Sequence, residues 1–316
     1  MTGTAAVCCI SHSPLLHQTE PGPGVRRKVV TAFDRAREFV TDFDPDLVVI
    51  FGPDHYQGFR YDVMPPFCIG TAAESVGDYD TIACELQVPQ ATADALIEHV
   101  LASDLDVAVS EAMKVDHGIA QPLEVLFGRS DAKPVIPIFI NAVAAPLGPA
   151  RRARMLGQAV GKFAQLLDRK VLFVGSGGLS HDPPVPDVRT AAPEIAAHLI
   201  SQRRTPDEQL QREQAVIAAG REFASGQTDL RPLNPDFDRG FLDLLASGEL
   251  DRFEQFDTKS LTEQAGRSVH EVRTWVAAHA ALATYGAYES TYSFYEPVPE
   301  WIIGFALTIA TPRQIG

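Results

Sequence analysis

Three short runs without a polar residue set the frame of this chain. Ala5 to Ile10, Leu47 to Phe51 and Val171 to Val174 lack the alternation of a half-exposed strand, so each predicts a strand buried on both faces. Each runs into a turn that carries a histidine: Ser11-His12-Ser13-Pro14, Gly52-Pro53-Asp54-His55, and Gly175-Ser-Gly-Gly-Leu-Ser-His181. The glycines of the last turn predict backbone conformations closed to other residues, which lets the chain reverse sharply at the strand end. Between the runs the period changes. Val29, Phe33, Ala36, Val40 and Phe43 recur at helical spacing over Arg26 to Phe43, and Asp44-Pro45 stops that helix. Further helices are predicted over Ala91 to Leu105 and Leu147 to Leu167, with a short strand from Val107 to Ser110. Val135 to Ile140 reads as another buried strand, whose Pro137 demands an edge or a bulge. Gln57 to Gly70 reads as irregular, because Met64-Pro65-Pro66-Phe67 cannot hold a central ladder.

The second half changes character. Glu194 to Leu261 is helical and polar, interrupted by Arg231-Pro-Leu-Asn-Pro235, and carries few strand signals. An alanine-rich helix over Ser268 to Tyr285, an aromatic and proline-rich tail from Tyr288 to Trp301 and a last strand from Ile302 to Ile309 complete the chain. Strands alternating with helices predict an α/β fold. The expected architecture is one large domain over 1–316, a mainly buried central sheet flanked by helices, with a helical insertion at about 190–262.

The 316 residues, 45% hydrophobic and 22% charged, are those of a folded protein with a sizeable core. A formal net charge of −14 argues against nucleic acid or an anionic membrane as partner. An anionic small substrate would need local basic residues to overcome that field. There is no signal-peptide pattern and no apolar run of membrane-spanning length, so the cytoplasm is the expected compartment. Cys8, Cys9, Cys68 and Cys84 have neither CxxC spacing nor a disulfide framework, and are expected to be reduced and buried.

Of nine histidines, His17, His99, His198, His270 and His279 have no context beyond packing or surface. His12, His55, His117 and His181 differ, since each follows an apolar run at a turn rich in glycine, proline or serine, where rigid strands present functional side chains. Glu271 has two readings. Ser268-Val-His-Glu271 fits a capping box, while Glu271, Trp275, Ala278 and Leu282 share an otherwise apolar helical face on which a carboxylate needs a partner such as a metal. Two histidines and a carboxylate form the facial triad of non-haem Fe(II) oxygenases, and two further histidines could serve as acid and base. A rival lies in Val174-Gly-Ser176-Gly-Gly178, one residue from the nucleophile elbow of serine hydrolases.

Assembled, these motifs resemble the class III extradiol ring-cleaving catechol dioxygenases over nearly the whole chain. The match runs through Ser11 to Pro14, Gly52 to His55, Asp62 to Phe67, Val115 to Gly118, Gly175 to His181, His270-Glu271 and Pro299 to Trp301. The segments around Met64 and Trp301 are similar to the phenylpropionate branch. The resemblance implies Fe(II) held by His12, His55 and Glu271, with His181 as catalytic base and His117 as catalytic acid. It further implies extradiol cleavage of a catechol with a carboxylated side chain, 2,3-dihydroxyphenylpropionate first, by a homo-oligomer using O2. Tyr285, Tyr288, Tyr292 and Tyr295 are candidates for the aromatic pocket, and no residue is singled out for the side-chain carboxylate. Two other outcomes stay open: hydrolysis through Ser176, and a binding protein that has lost catalysis.

Overall fold

The computed structural model describes residues 3–313. In chain order it contains β1 (Ala5–Ile10), α1 (Pro23–Phe43), β2 (Leu47–Gly52), β3 (Phe67–Gly70), β4 (Ala73–Ser75), β5 (Cys84–Glu85), α2 (Gln90–Leu101), β6 (Ala108–Ser110) and β7 (Met113–Val115). There follow α3 (His117–Phe127), β8 (Val135–Ile140), α4 (Ala150–Ala164), β9 (Val171–Ser176), α5 (Pro193–Ile200), α6 (Pro206–Ala224) and α7 (Pro235–Ser247). The chain closes with α8 (Thr258–Ala265), α9 (Val272–Ala283), β10 (Tyr288–Val298) and β11 (Ile303–Pro312); 3-10 turns cover Leu250–Gln255, Val269–Glu271 and Pro299–Trp301.

Eight strands form one sheet in the order β10-β11-β1-β9-β2-β8-β3-β6. The expected α/β architecture is therefore present, with helices on both faces. β1, β9, β2 and β8 run parallel, so the chain leaves each of them at the same edge of the sheet. Their uninterrupted apolar sequence follows from period-two geometry with two covered faces. Val7, Val49, Ile138 and Phe173 point into a core shared with α2, α4 and α9, while Cys8, Ile50 and Val174 point into a second core under α1 and α3. α4 and α9 cross very closely: a Cβ added at Gly157 would lie 2.1 Å from the carbonyl oxygen of Ala277.

Three local expectations give way. Pro137 lies in an interior strand rather than at an edge or bulge. Val48 N–H donates to the carbonyl of Pro134, so even-numbered residues of β8 bond to β2 and odd-numbered ones face β3. The antiparallel register of β3 with β8 ends at the Ile69–Ile138 pair, just where Gly70 would need the N–H that Pro137 lacks. The proline thus ends one ladder without disturbing the other. Phe67–Gly70, read as part of an irregular segment, is a buried strand starting directly after the prolines. Tyr288–Val298, read as a tail, is an edge strand pairing with β11 from Tyr288–Pro312 to Val298–Ile303, and the edge position tolerates Pro297.

Helices α5 to α8 follow β9 with no strand among the described residues before β10, as the polar helical pattern predicted. Among the described residues no helix is long and apolar enough to cross a membrane. All four cysteines are free; Cys8, Cys9 and Cys68 are buried and Cys84 is partly so.

Candidate active site

The common edge of β1, β2 and β9 delivers His12, His55 and His181, and Val115 at the end of β7 leads to His117 in the first turn of α3. Glu271 enters from the opposite side, in the 3-10 turn that opens α9. Its carboxylate stands among the histidines: Oε1 lies 3.3 Å from Nε2 of both His55 and His181, and Oε2 lies 3.6 Å from Nε2 of His12. Oε2 also accepts the Gly178 N–H at 2.8 Å. The His117 ring packs against His55 with centroids 4.5 Å apart and meets His12 edge-on at 5.5 Å. Ser268 makes no side-chain cap contact, so the capping-box reading of Glu271 fails. The helix starts as a 3-10 turn, and the carboxylate faces the histidines instead of the helix start.

Glycines in the turn after β9 serve a different purpose from the one expected. The positive-φ glycines of the structure are Gly77, Gly128, Gly226, Gly248, Gly266 and Gly286, none of them in this turn. Close approach is what demands glycine here. A Cβ at Gly177 would sit 2.6 Å from the Cβ of Glu271, and one at Gly178 would sit 2.8 Å from the His181 ring. Positive φ appears instead at Tyr56, where φ is 64°, beside His55. That loop is held by the Asp54 carboxylate, which accepts the N–H groups of Gln57, Gly58 and Phe59. A non-glycine residue in this region is strained, and such strain concentrates at functional loops.

Every one of the four imidazoles donates from Nδ1 and turns Nε2 inward. Asp116 Oδ2 accepts from His55 Nδ1 at 2.9 Å, Asp78 Oδ2 from His117 Nδ1 at 2.6 Å, and the carbonyl of Leu179 from His181 Nδ1 at 2.8 Å. His12 Nδ1 lies 2.8 Å from the Ser176 hydroxyl. That hydroxyl donates to the Gly118 carbonyl, so it accepts from His12. In the neutral rings the Nε2 lone pairs are then free, which is the tautomer a metal ligand or a general base requires. His117 Nε2 is buried and lacks a hydrogen-bond partner.

Electrostatics separate the groups. Burial pushes the His12 imidazole down to about 3, since only Glu271 and the more distant Asp116 oppose it. Burial works the same way on His55, yet Asp116 and Glu271 together hold it well above its ordinary value. His181 is raised too, by Glu271 against its own burial. Burial disfavours the charged form of Glu271, but His181 and His12 more than offset it and hold its carboxyl well below the usual range. A buried carboxylate surrounded by inward lone pairs wants a cation at the centre. His12, His55 and His117 also offer donor atoms within 4.8 Å of one another, so the residues present fit a metal ion. Asp78, Asp116 and His117 satisfy the same distance test, but both carboxylates are already engaged, by His117 and by His55 and Gly118.

A cavity opens on this centre, bounded by Tyr56, Tyr79, Leu15, Val185, Leu199 and Trp301. The tyrosines expected to line it do not. Tyr288 donates to the Leu245 carbonyl, Tyr295 to Asp238, Tyr285 packs on Phe173, and Tyr292 lies on the edge strand. Met64 lines a separate cleft with Pro66 and Arg152. Ser176 is fully buried and its hydroxyl is committed to Gly118 and His12, which is the reverse of an exposed nucleophile elbow. His17, His99, His198, His270 and His279 all lie outside the cavity.

Asp78, Asp116, Tyr56 and Tyr79 were not foreseen. Asp116 stood beside His117 in a motif, but only the fold reveals that it caps α3 through the Gly118 N–H and grips the His55 backbone and ring. Asp78 comes from a turn 39 residues away and takes both the backbone N–H and Nδ1 of His117, which no local pattern announces.

Comparison with known proteins agrees with this centre. The model of the catalytic LigB subunit of aromatic ring-opening dioxygenase matches residues 6–306. A protein of Rhodococcus jostii named 2,3-dihydroxyphenylpropionate/2,3-dihydroxicinnamic acid 1,2-dioxygenase is 54% identical over 306 residues, 96% of this chain and 98% of its own. Proteins of the same name are 56% identical in Mycolicibacterium vanbaalenii, over 96% of this chain and 97% of theirs, and 50% identical in Rhodococcus globerulus, over 98% and 99%. With matches of this extent, and a carboxylate ringed by four inward-facing imidazoles, the chain belongs to the family of catalytic LigB subunits of aromatic ring-opening dioxygenases.

Proposed function

We propose that the chain is an Fe(II)-dependent extradiol dioxygenase that opens 3-(2,3-dihydroxyphenyl)propionate to 2-hydroxy-6-oxonona-2,4-dienedioate, taking up both atoms of O2. The observation that carries this reading is the shared orientation of the four imidazoles, Nδ1 bound outward and Nε2 facing Glu271. His12, His55 and Glu271 would hold the metal, two neutral nitrogens and one carboxylate as in a facial triad. When bound, the iron supplies the redox centre through which a catechol and O2 react. The names of the relatives support the substrate.

The two remaining histidines have unequal backing, which assigns their roles. His181 rests on the neutral carbonyl of Leu179, so its free Nε2 takes a phenolic proton as general base. His117 rests on the Asp78 carboxylate, which balances a ring protonated on both nitrogens and leaves Nε2–H to donate as general acid. Ser176 serves this reading as the group that fixes the His12 tautomer.

The test is oxygen uptake by protein loaded anaerobically with Fe(II), with 2,3-dihydroxyphenylpropionate added. Uptake matched to substrate, with a yellow ring-opened product, supports the proposal. Uptake only with a different catechol keeps the reaction and discards the substrate. Silence with every catechol despite bound iron would leave a binding protein of this family.

A further inference from the structure

The cavity that opens on the histidines has one cationic wall. Arg204 lies immediately before the Thr205 cap of α6, and Gln209, Arg212 and Val216 follow at helical spacing on that helix; all four line the cavity. Among the described residues neither arginine has a carboxylate partner. The nearby acids are engaged elsewhere: Glu208 caps α6 through Thr205 and pairs with His198, Glu213 accepts from Gln209, and Asp78 is bound to His117. Arg212 is tethered at one nitrogen only, Nη1 donating to the Pro184 carbonyl at 3.1 Å, which leaves its other N–H groups free. That tether joins α6 to the loop following His181. Burial, together with Arg212 and Arg60, lowers the Arg204 pKa, the mark of cations crowded without a counter-charge.

Two partly buried guanidinium groups on one wall, in a protein of net charge −14, are costly unless an anion joins them. Most of the remaining lining is apolar or aromatic, suited to a ring and an alkyl chain. We infer that Arg204 and Arg212 form the seat for the carboxylate of the substrate side chain, and so select carboxylated catechols over neutral ones. This rests on the ring-cleavage reading and deepens it: the histidine centre acts on the diol while α6 reads the far end of the molecule. Guanidinium groups match a carboxylate with paired N–H donors.

The experiment compares 2,3-dihydroxyphenylpropionate with 3-propylcatechol, which has a side chain of similar length and no charge. Steady-state kcat and KM are measured for the Fe(II)-loaded wild type, R204Q, R212Q, the double variant and R212K. Binding of 3-phenylpropionate to the same iron-loaded proteins without O2 is followed by calorimetry. The double variant should lower the ratio of kcat/KM, carboxylated over neutral, on the order of 10²-fold, mostly through KM, because the seat grips substrate and transition state alike. R212K should recover part of the ratio, and 3-phenylpropionate should bind more weakly in step. A ratio within about twofold of wild type, with 3-phenylpropionate affinity unchanged, overturns the seat while leaving ring cleavage intact. Arginine-dependent binding of 3-phenylpropionate by a protein that cleaves no catechol keeps the seat and overturns the reaction. Both arginines are partly exposed, and the single variants carry the same comparison if the double variant does not fold.

Discussion

Replacing Asp116 by Asn isolates the link between second-layer hydrogen bonding and the metal centre. Asp116 is fully buried, and its Oδ2 accepts the His55 backbone N–H at 2.7 Å and His55 Nδ1 at 2.9 Å, while Oδ1 accepts the Gly118 N–H at 2.9 Å. Burial opposes the Asp116 charge, yet His55 and His117 hold its carboxyl below the usual range. Asparagine keeps the shape but has one oxygen. If that oxygen serves His55, the amide NH2 meets the Gly118 N–H, and α3 loses its cap, worth about 1 kcal/mol. Adding a buried unsatisfied donor and the lost charge-assisted character brings the total to about 2–4 kcal/mol. In a chain of this size that lowers Tm by roughly 4–8 °C. A less firmly oriented His55 should cost about 10–100-fold in Fe(II) affinity, the usual penalty for removing a ligand's support. Thermal unfolding by circular dichroism and anaerobic titration of the apoprotein with Fe(II) against a competing chelator read the two effects. If Tm falls but metal affinity stays at the wild-type value, Asp116 is only a helix cap and its role in orienting His55 is refuted.

Three further outcomes are expected. His117→Ala and His181→Ala should retain one Fe(II) per chain and lose on the order of 10²-fold or more in turnover; loss of iron from the His117 variant would move it among the ligands instead. Ser176→Ala leaves the His12 Nδ1–H buried without an acceptor, so it should destabilise by about 1–3 kcal/mol in denaturant unfolding and weaken metal binding. Neither it nor the wild type should be labelled at this position by a fluorophosphonate, and labelling of Ser176 would revive the hydrolase reading. Gly157→Ala drives a methyl group to 2.1 Å from the Ala277 carbonyl between α4 and α9, which should cost at least about 1–3 kcal/mol and be visible as a lowered denaturation midpoint.

The sequence by itself determined the strands and the histidines they carry. A strand covered on both faces must be apolar at consecutive positions, so β1, β2, β8 and β9 were legible from composition alone. The turns after β1, β2 and β9 announced His12, His55 and His181 because glycine, proline and serine punctuate strand ends. Interior position does not show in a short stretch with prolines, which is why β3 and the place of Pro137 were misjudged: a proline is harmless wherever the partner ladder ends, and only the register reveals where that is. The amphipathic edge strand β10 was hidden for a related reason, since its pairing with β11 supplies the order that its aromatic and proline-rich sequence does not. Tertiary structure alone decided how the site is wired. Hydrogen bonds such as Asp78 to His117, 39 residues apart, and Ser176 to His12, 164 apart, depend on direction and distance in space, and a linear pattern carries neither. The same holds for Arg204 and Arg212, two ordinary basic residues in a polar helical stretch, which gain a role only because α6 folds over the cavity and leaves them without a counter-charge.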